Sequence, residues 1–154
     1  MGVTGVPSPR SLLTAGFGVL LLVTIVRASP APIRADQAKP RTTRDKVYSK
    51  EQAAAGEKQY LKLCAHCHDP EKVPTGKKPG PPLSGDKFFD KWADHTLGDL
   101  QDTIQSTMPN DGSAVLNERE TADVIAYMLK VMGFPDGPSP LAGGAASKDI
   151  VIVR

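Results

Sequence analysis

Apolar residues recur along this chain at helix-face spacing in several separate stretches, divided by segments broken up by Pro and Gly. From Ser49 to about Leu63, the residues Ala53, Gly56, Tyr60 and Leu63 share one face, which predicts a helix N-capped by Ser49 with Gln52 three residues on. Asp86 to Trp92 predicts a short helix, and Leu97 to Thr107 a longer one whose stripe is Leu97, Leu100, Ile104 and Met108. Asn110-Asp111-Gly112 predicts a turn. Asn117 then caps a helix reaching about Met132, with Glu118 and Glu120 in its first turn, where the helix dipole favours anions. Val124, Tyr127, Met128 and Val131 form its apolar face, and Gly133 ends it. Residues 69–85 are too rich in Pro and Gly to be anything but loop. No strand pattern is convincing, although Ile150 to Val153 could add a short extended edge. The fold class expected is all-α.

The two ends read differently. Residues 1–28 carry Arg10, then an uncharged apolar run from Leu12 to Val26, then Val26-Arg27-Ala28, the layout of an export signal peptide. A retained membrane anchor competes, but 15 residues fall short of the roughly 20 that span hydrocarbon. Cleavage is expected after Ala28, with Ala31 and Ala35 as alternatives, and a periplasmic location follows. Membrane contact is expected only if the segment stays uncleaved. Residues 29–47 hold three prolines, several charges and few large apolar side chains, and are expected to be a disordered linker. Residues 48–133 form the expected domain, and residues 134–154, dominated by Pro, Gly, Ser and Ala, a flexible tail. At about 85 residues such a domain has a marginal core and calls for a staple.

Charge says little about partners. Loss of Arg10 and Arg27 with the leader brings nineteen Lys and Arg down to seventeen, matching the seventeen Asp and Glu. The balance gives no reason to expect nucleic acid. A basic stretch up to Lys50 precedes a mildly acidic domain, and such a stretch is ordinarily a solvated tether.

The chemistry is concentrated in Cys64-Ala65-His66-Cys67-His68. C-x-x-C-H is the attachment pattern for c-type haem. One helical turn puts Cys64 and Cys67 on the same side, where each sulfur can add to a vinyl group, and His68 follows directly as an iron ligand. His66 reads as a solvent-facing spacer. The rivals are weak: zinc wants a second ligand pair, a thioredoxin-type dithiol wants a βαβ context, and a plain disulfide leaves His68 unexplained. The sixth iron position has several candidates. Met128 and Met132 lie in the last helix, where core filling explains them, and His95 sits among charged residues at a helix edge. Met108 precedes Pro109 in a loop forty residues after His68 and is the expected ligand, although it could simply end an apolar stripe. A thioether there makes a closed electron carrier. An open position would instead suit a haem enzyme or a gas sensor.

From Ser49 to Gly133 these residues resemble class I cytochromes c. The resemblance implies a cytochrome c fold in which the first and last helices cross around one covalently bound haem c with its iron. Gly56 and Tyr60 look like the family's small and aromatic pair, facing Val124 and Tyr127 on the crossing helix. Gly80-Pro81-Pro82-Leu83-Ser84-Gly85 is similar to the loop whose proline carbonyl accepts a hydrogen bond from the ligand histidine. That match assigns Pro81 to His68 and Leu83 to the porphyrin face. Ser-Thr-Met-Pro matches the axial methionine loop, and Trp92 could reach a haem propionate or simply pack. Leu97, Leu100 and Ile104 are expected to bury the haem with Leu83. The implied activity is single-electron transfer, not catalysis, with a dehydrogenase as donor and an oxidase or another cytochrome as acceptor. The Gly133-Phe134-Pro135 ending looks more like small bacterial cytochromes that accompany quinoprotein dehydrogenases. Attachment to a larger dehydrogenase through residues 29–47 and 134–154 is the alternative. Lys72, Lys77 and Lys78 are candidate docking charges or else a solvated loop.

Overall fold

The computed structural model describes residues 39–69, 71–72 and 74–154. The expected leader, its cleavage sites and most of the expected linker lie outside the described residues. Helix α1 runs Lys50–Leu63, α2 Ala65–His68, α3 Asp86–Trp92, α4 Leu97–Thr107 and α5 Glu118–Val131. The fold is all-α apart from one parallel pairing of two-residue strands, β1 (Arg41–Thr42) with β2 (Ile150–Val151). Among the described residues, no helix is long and apolar enough to cross a membrane.

Local chemistry sets the helix ends. The Ser49 hydroxyl accepts from the Gln52 N–H at 3.2 Å, satisfying one of the free donors at the start of α1. Thr96 with Asp99 and Asn117 with Glu120 form reciprocal capping boxes at α4 and α5. Gly133, at φ +82°, provides the left-handed turn that stops the last helix.

α1 and α5 cross at Gly56. A Cβ there would lie 1.7 Å from the Asp123 carbonyl oxygen, so only glycine lets the backbones approach this closely. Tyr60 and Tyr127 meet beside the crossing with ring centroids 5.1 Å apart. Lys130 reaches Glu57 across it at 3.2 Å. Ala53, Val124, Ile125, Met128 and Leu129 are buried around it.

The structure corrects the expected boundaries at both ends. Residues 41–47 and 134–154 form a belt that packs against the start of α1 and runs on along α4 to the acids of α3. Thr43 is completely buried, its N–H donating to the Val151 carbonyl at 3.0 Å and its hydroxyl accepting from the Val153 N–H at 3.2 Å. Val47, Tyr48, Phe134, Leu141, Ile150 and Ile152 are all core residues. The Tyr48 hydroxyl donates to the Phe134 carbonyl at 2.7 Å. The Gln52 amide bonds the Leu141 backbone twice, donating at 3.0 Å and accepting at 2.6 Å. Outside the Ile150–Val153 run, the apolar residues of the belt are single, spaced by Pro, Gly and polar residues, and carry no period. Their burial comes from contact with remote elements, to which local patterning is blind.

Candidate functional site

α1 hands over to α2 at Cys64, whose N–H still bonds the Tyr60 carbonyl at 2.9 Å. The next turn is closed by bonds from the Cys67 and His68 N–H groups to the Cys64 carbonyl, at 3.1 and 2.9 Å. That turn brings Cys64, Cys67 and His68 onto the wall of one cavity of about 290 Å³. Both thiols are free and partly buried. Burial, with a smaller contribution from the neighbouring Cys67, pushes the Cys64 thiol up to about 11. A dithiol redox catalyst needs the opposite, a stabilised thiolate.

The loop between α2 and α3 folds back under His68. The Gly80 N–H donates to the Cys67 carbonyl at 2.7 Å, and His68 Nδ1 lies 2.8 Å from the Pro81 carbonyl oxygen. A carbonyl can only accept, so Nδ1 carries the proton and Nε2 keeps its lone pair free for a metal. A Cβ on residue 80 would stand 3.1 Å from both Cε1 and Nδ1 of the imidazole. Gly80 is therefore as much a part of the histidine's seat as Pro81. The sequence contained it in the Gly-Pro-Pro-Leu motif, but only the structure gives it this role.

Met108 caps α4. Its N–H bonds the Ile104 carbonyl at 2.9 Å, and its backbone then turns extended, at φ −124° and ψ 142°, with the side chain on the same cavity. Pro81, Leu83, Trp92, Leu100, Ile104 and Val124 also line that cavity. Phe88 and Met128, which were not expected there, complete its apolar wall.

Leu97 is a correction. It is fully buried in the core but is not on the cavity wall. It shares a helix face with Ile104, yet seven residues at about 1.5 Å each put it some 10 Å further along α4. Gly56, Tyr60 and Tyr127 lie at the helix crossing, not on this wall. The two tyrosines instead border a smaller pocket that also reaches His68 and Leu83. His95 is not brought to the cavity: its ring packs on Trp92 at 5.7 Å between centroids, and Nδ1 lies 4.0 Å from Asp99. His66 borders the cavity with its side chain 42% exposed to solvent and Nε2 4.0 Å from Asp111. Lys72 is tied to Asp69 at 2.8 Å, a bond that holds the Asp69 carboxyl below its ordinary range.

The residues fit a haem. Two unpaired thiols and an imidazole with a free Nε2 share a cavity with a thioether, and much of its wall is apolar. Among the described residues, no group of three or more His, Cys, Asp or Glu side chains could hold a metal ion without such a cofactor.

Residues 51–128, half of the 154-residue chain, match the family described as cytochrome C oxidase, cbb3-type, subunit III. No curated protein matches the chain, and neither does a solved structure. The matched span runs from the first turn of α1 into the last turn of α5 and contains the whole Cys64–His68 segment, the Pro81 loop and Met108. The chain belongs to this cytochrome c family, whose members carry covalently bound haem c and pass electrons to and from redox protein partners.

Proposed function

We propose that this protein is a mono-haem c-type cytochrome, carrying single electrons between redox partners in the periplasm. Cys64 and Cys67 form the two thioether links, and His68 and Met108 are the axial ligands of a low-spin iron. The reading rests on one observation: these four side chains line one apolar-walled cavity, with the His68 imidazole already oriented by the Pro81 carbonyl.

Bound haem supplies a reversible one-electron iron couple. The protein's own residues do the rest. Pro81 and Gly80 hold the imidazole so that Nε2 faces the cavity, and the hydrogen bond to Nδ1 strengthens it as a donor. Leu83, Phe88, Leu100, Ile104 and Met128 exclude water, which disfavours the added charge of the ferric state and raises the potential. No substrate bond changes, so the chain is a carrier and not an enzyme. Periplasmic location is supported by the leader-like residues 1–28.

The test is Met108→Ala in the purified holoprotein. The weak sulfur-to-iron absorption band toward the red is expected to vanish from the ferric spectrum, with covalent haem retained by mass. A band that survives the substitution removes Met108 as ligand.

A second reading is favoured by the family's description, which names an oxidase subunit. In it, the domain is a fixed haem subunit of a larger complex. Native purification separates the two: a free carrier elutes alone, whereas a subunit co-elutes with its enzyme in constant ratio.

A further inference from the structure

A few cations of this domain are held by side-chain carboxylates, and the others among the described residues have none within 4.0 Å. Lys72, Lys130, Lys148 and Arg154 each have a carboxylate partner, at 2.8, 3.2, 3.8 and 2.6 Å respectively. Lys78, Lys87 and Lys91 line the haem cavity, and none of them has a carboxylate within 4.0 Å among the described residues. On α3 the belt takes up the acids. Arg154 reaches over to Asp90 at 2.6 Å and Asp86 at 3.6 Å, occupying both acids of the helix. Lys87 and Lys91, one turn apart, are left without partners on the cavity side, beside Phe88 and Trp92 of the same wall. The Lys91 ammonium lies 5.1 Å from the centre of the Trp92 ring.

The other ionisable side chains on the wall are His66, Lys78, Asp111, the two thiols and His68. Asp111 is the single acid there, and it faces His66. The wall therefore has a surplus of positive charge on α3, with no carboxylate of the described residues within 4.0 Å to balance it. Haem carries two carboxylates on the edge opposite its vinyl groups. Where Cys64 and Cys67 take the vinyl edge, those carboxylates point away from α2.

We propose that Lys87 and Lys91 are positioning residues that bind the haem carboxylates, with Arg154 keeping them available by neutralising Asp86 and Asp90. This rests on the haem reading given above. Paired ammonium groups hold a carboxylate ionised through the neutral range. They also offset its negative charge, which otherwise favours ferric iron and lowers the potential.

The test is a redox titration of the holoprotein from pH 5 to 9 in wild type, in Lys87→Met, in Lys91→Met and in the double variant. Lys58→Met, an exposed charge change off the cavity, is the control. The wild-type and control potentials are expected to vary little with pH around neutrality. The double variant should show a lower potential, which falls further as pH rises through a carboxylate ionisation moved toward neutral. Each single variant should show part of the effect, and Lys87→Arg with Lys91→Arg should restore the wild-type profile. A double variant with a wild-type profile overturns the proposal. If it then reacts more slowly with a protein partner, the lysines belong to an acidic docking surface instead. Absence of covalent haem in the wild-type mass would defeat the haem reading itself, a different failure from unchanged titration of a loaded protein.

Discussion

The belt and the cavity lie on different parts of the same helical frame and are finished in different ways. At the belt, side chains and backbone satisfy each other within the chain. Ile150 and Ile152 are 1% exposed, Thr43 is completely buried, and the backbone of residues 43, 137, 141 and 153 is bonded to remote partners. At the cavity, Pro79, Pro81 and Pro82 remain exposed and two thiols are free. The belt is closed by the chain's own apolar and backbone contacts, whereas the cavity wall suits a covalent cofactor. The difference teaches that the covalent cofactor is not the only staple of this small domain. The belt adds a second, made of polypeptide, to a core that would be marginal without it.

The largest expected effect comes from deleting the belt. Ending the chain at Gly133 removes Phe134, Leu141, Ile150 and Ile152 from the core, each worth about 1.5–3 kcal/mol of burial. That sum is comparable to the whole stability of a small domain. Thermal melting of the truncated holoprotein by circular dichroism should show a collapsed or absent transition. A melting temperature equal to wild type would make residues 134–154 a mere tail after all.

Gly56→Leu attacks what both regions share, the crossing of α1 and α5. With a Cβ already 1.7 Å from the Asp123 carbonyl, the helices must separate, at a cost of about 3 kcal/mol. Urea unfolding measures the loss, and a change under about 1 kcal/mol would show that the backbones are not in contact.

Gln52→Ala tests the belt alone. It deletes both bonds to Leu141 and leaves a buried N–H and carbonyl without partners, costing about 2 kcal/mol. The haem spectrum should stay unchanged, because Gln52 is not on the cavity. A spectral change with no loss of stability contradicts the separation of the two regions.

The smallest effect belongs to the cavity without its cofactor. In haem-free protein the Cys64 thiol is held protonated by burial, up to about 11. The unfolded thiol ionises lower, so its raised value favours the folded state at neutral pH, and the benefit disappears as pH climbs from about 9 to 11. Alkylation mapped by mass spectrometry should therefore be slow at Cys64 near neutral pH and accelerate above about pH 10. Rapid modification of Cys64 at pH 7 would contradict its burial.

Much of this was legible in the residues. α3 spans Asp86–Trp92 and α4 Leu97–Thr107, the bounds expected, because helix-forming pattern is a local property; the Thr96–Asp99 capping box of α4 was not read from the sequence. The relation of Pro81 to His68 was reachable through a family resemblance, and the hydrogen bond between them is present. Leu97 was misassigned because helix-face arithmetic gives an angle around an axis but not how far along it the cavity extends. Phe88 and Met128 went unplaced for a related reason: an apolar side chain in a helix looks the same in sequence whether it faces core or cofactor.

By itself, the sequence determined the main helices, the Ser49, Asn117 and Gly133 caps and the Cys64–His68 attachment segment, since each depends on neighbours within about one or two helical turns, whereas the Gly56 crossing came from the family resemblance. Tertiary structure alone decided that Thr43, Leu141 and Ile152 are interior, that Gly80 seats the imidazole, and that Arg154 takes the acids of α3 and frees Lys87 and Lys91. Those outcomes join residues as much as 110 positions apart, such as Thr43 and Val153. Contacts of that range arise from the way whole elements pack, and no local pattern encodes them.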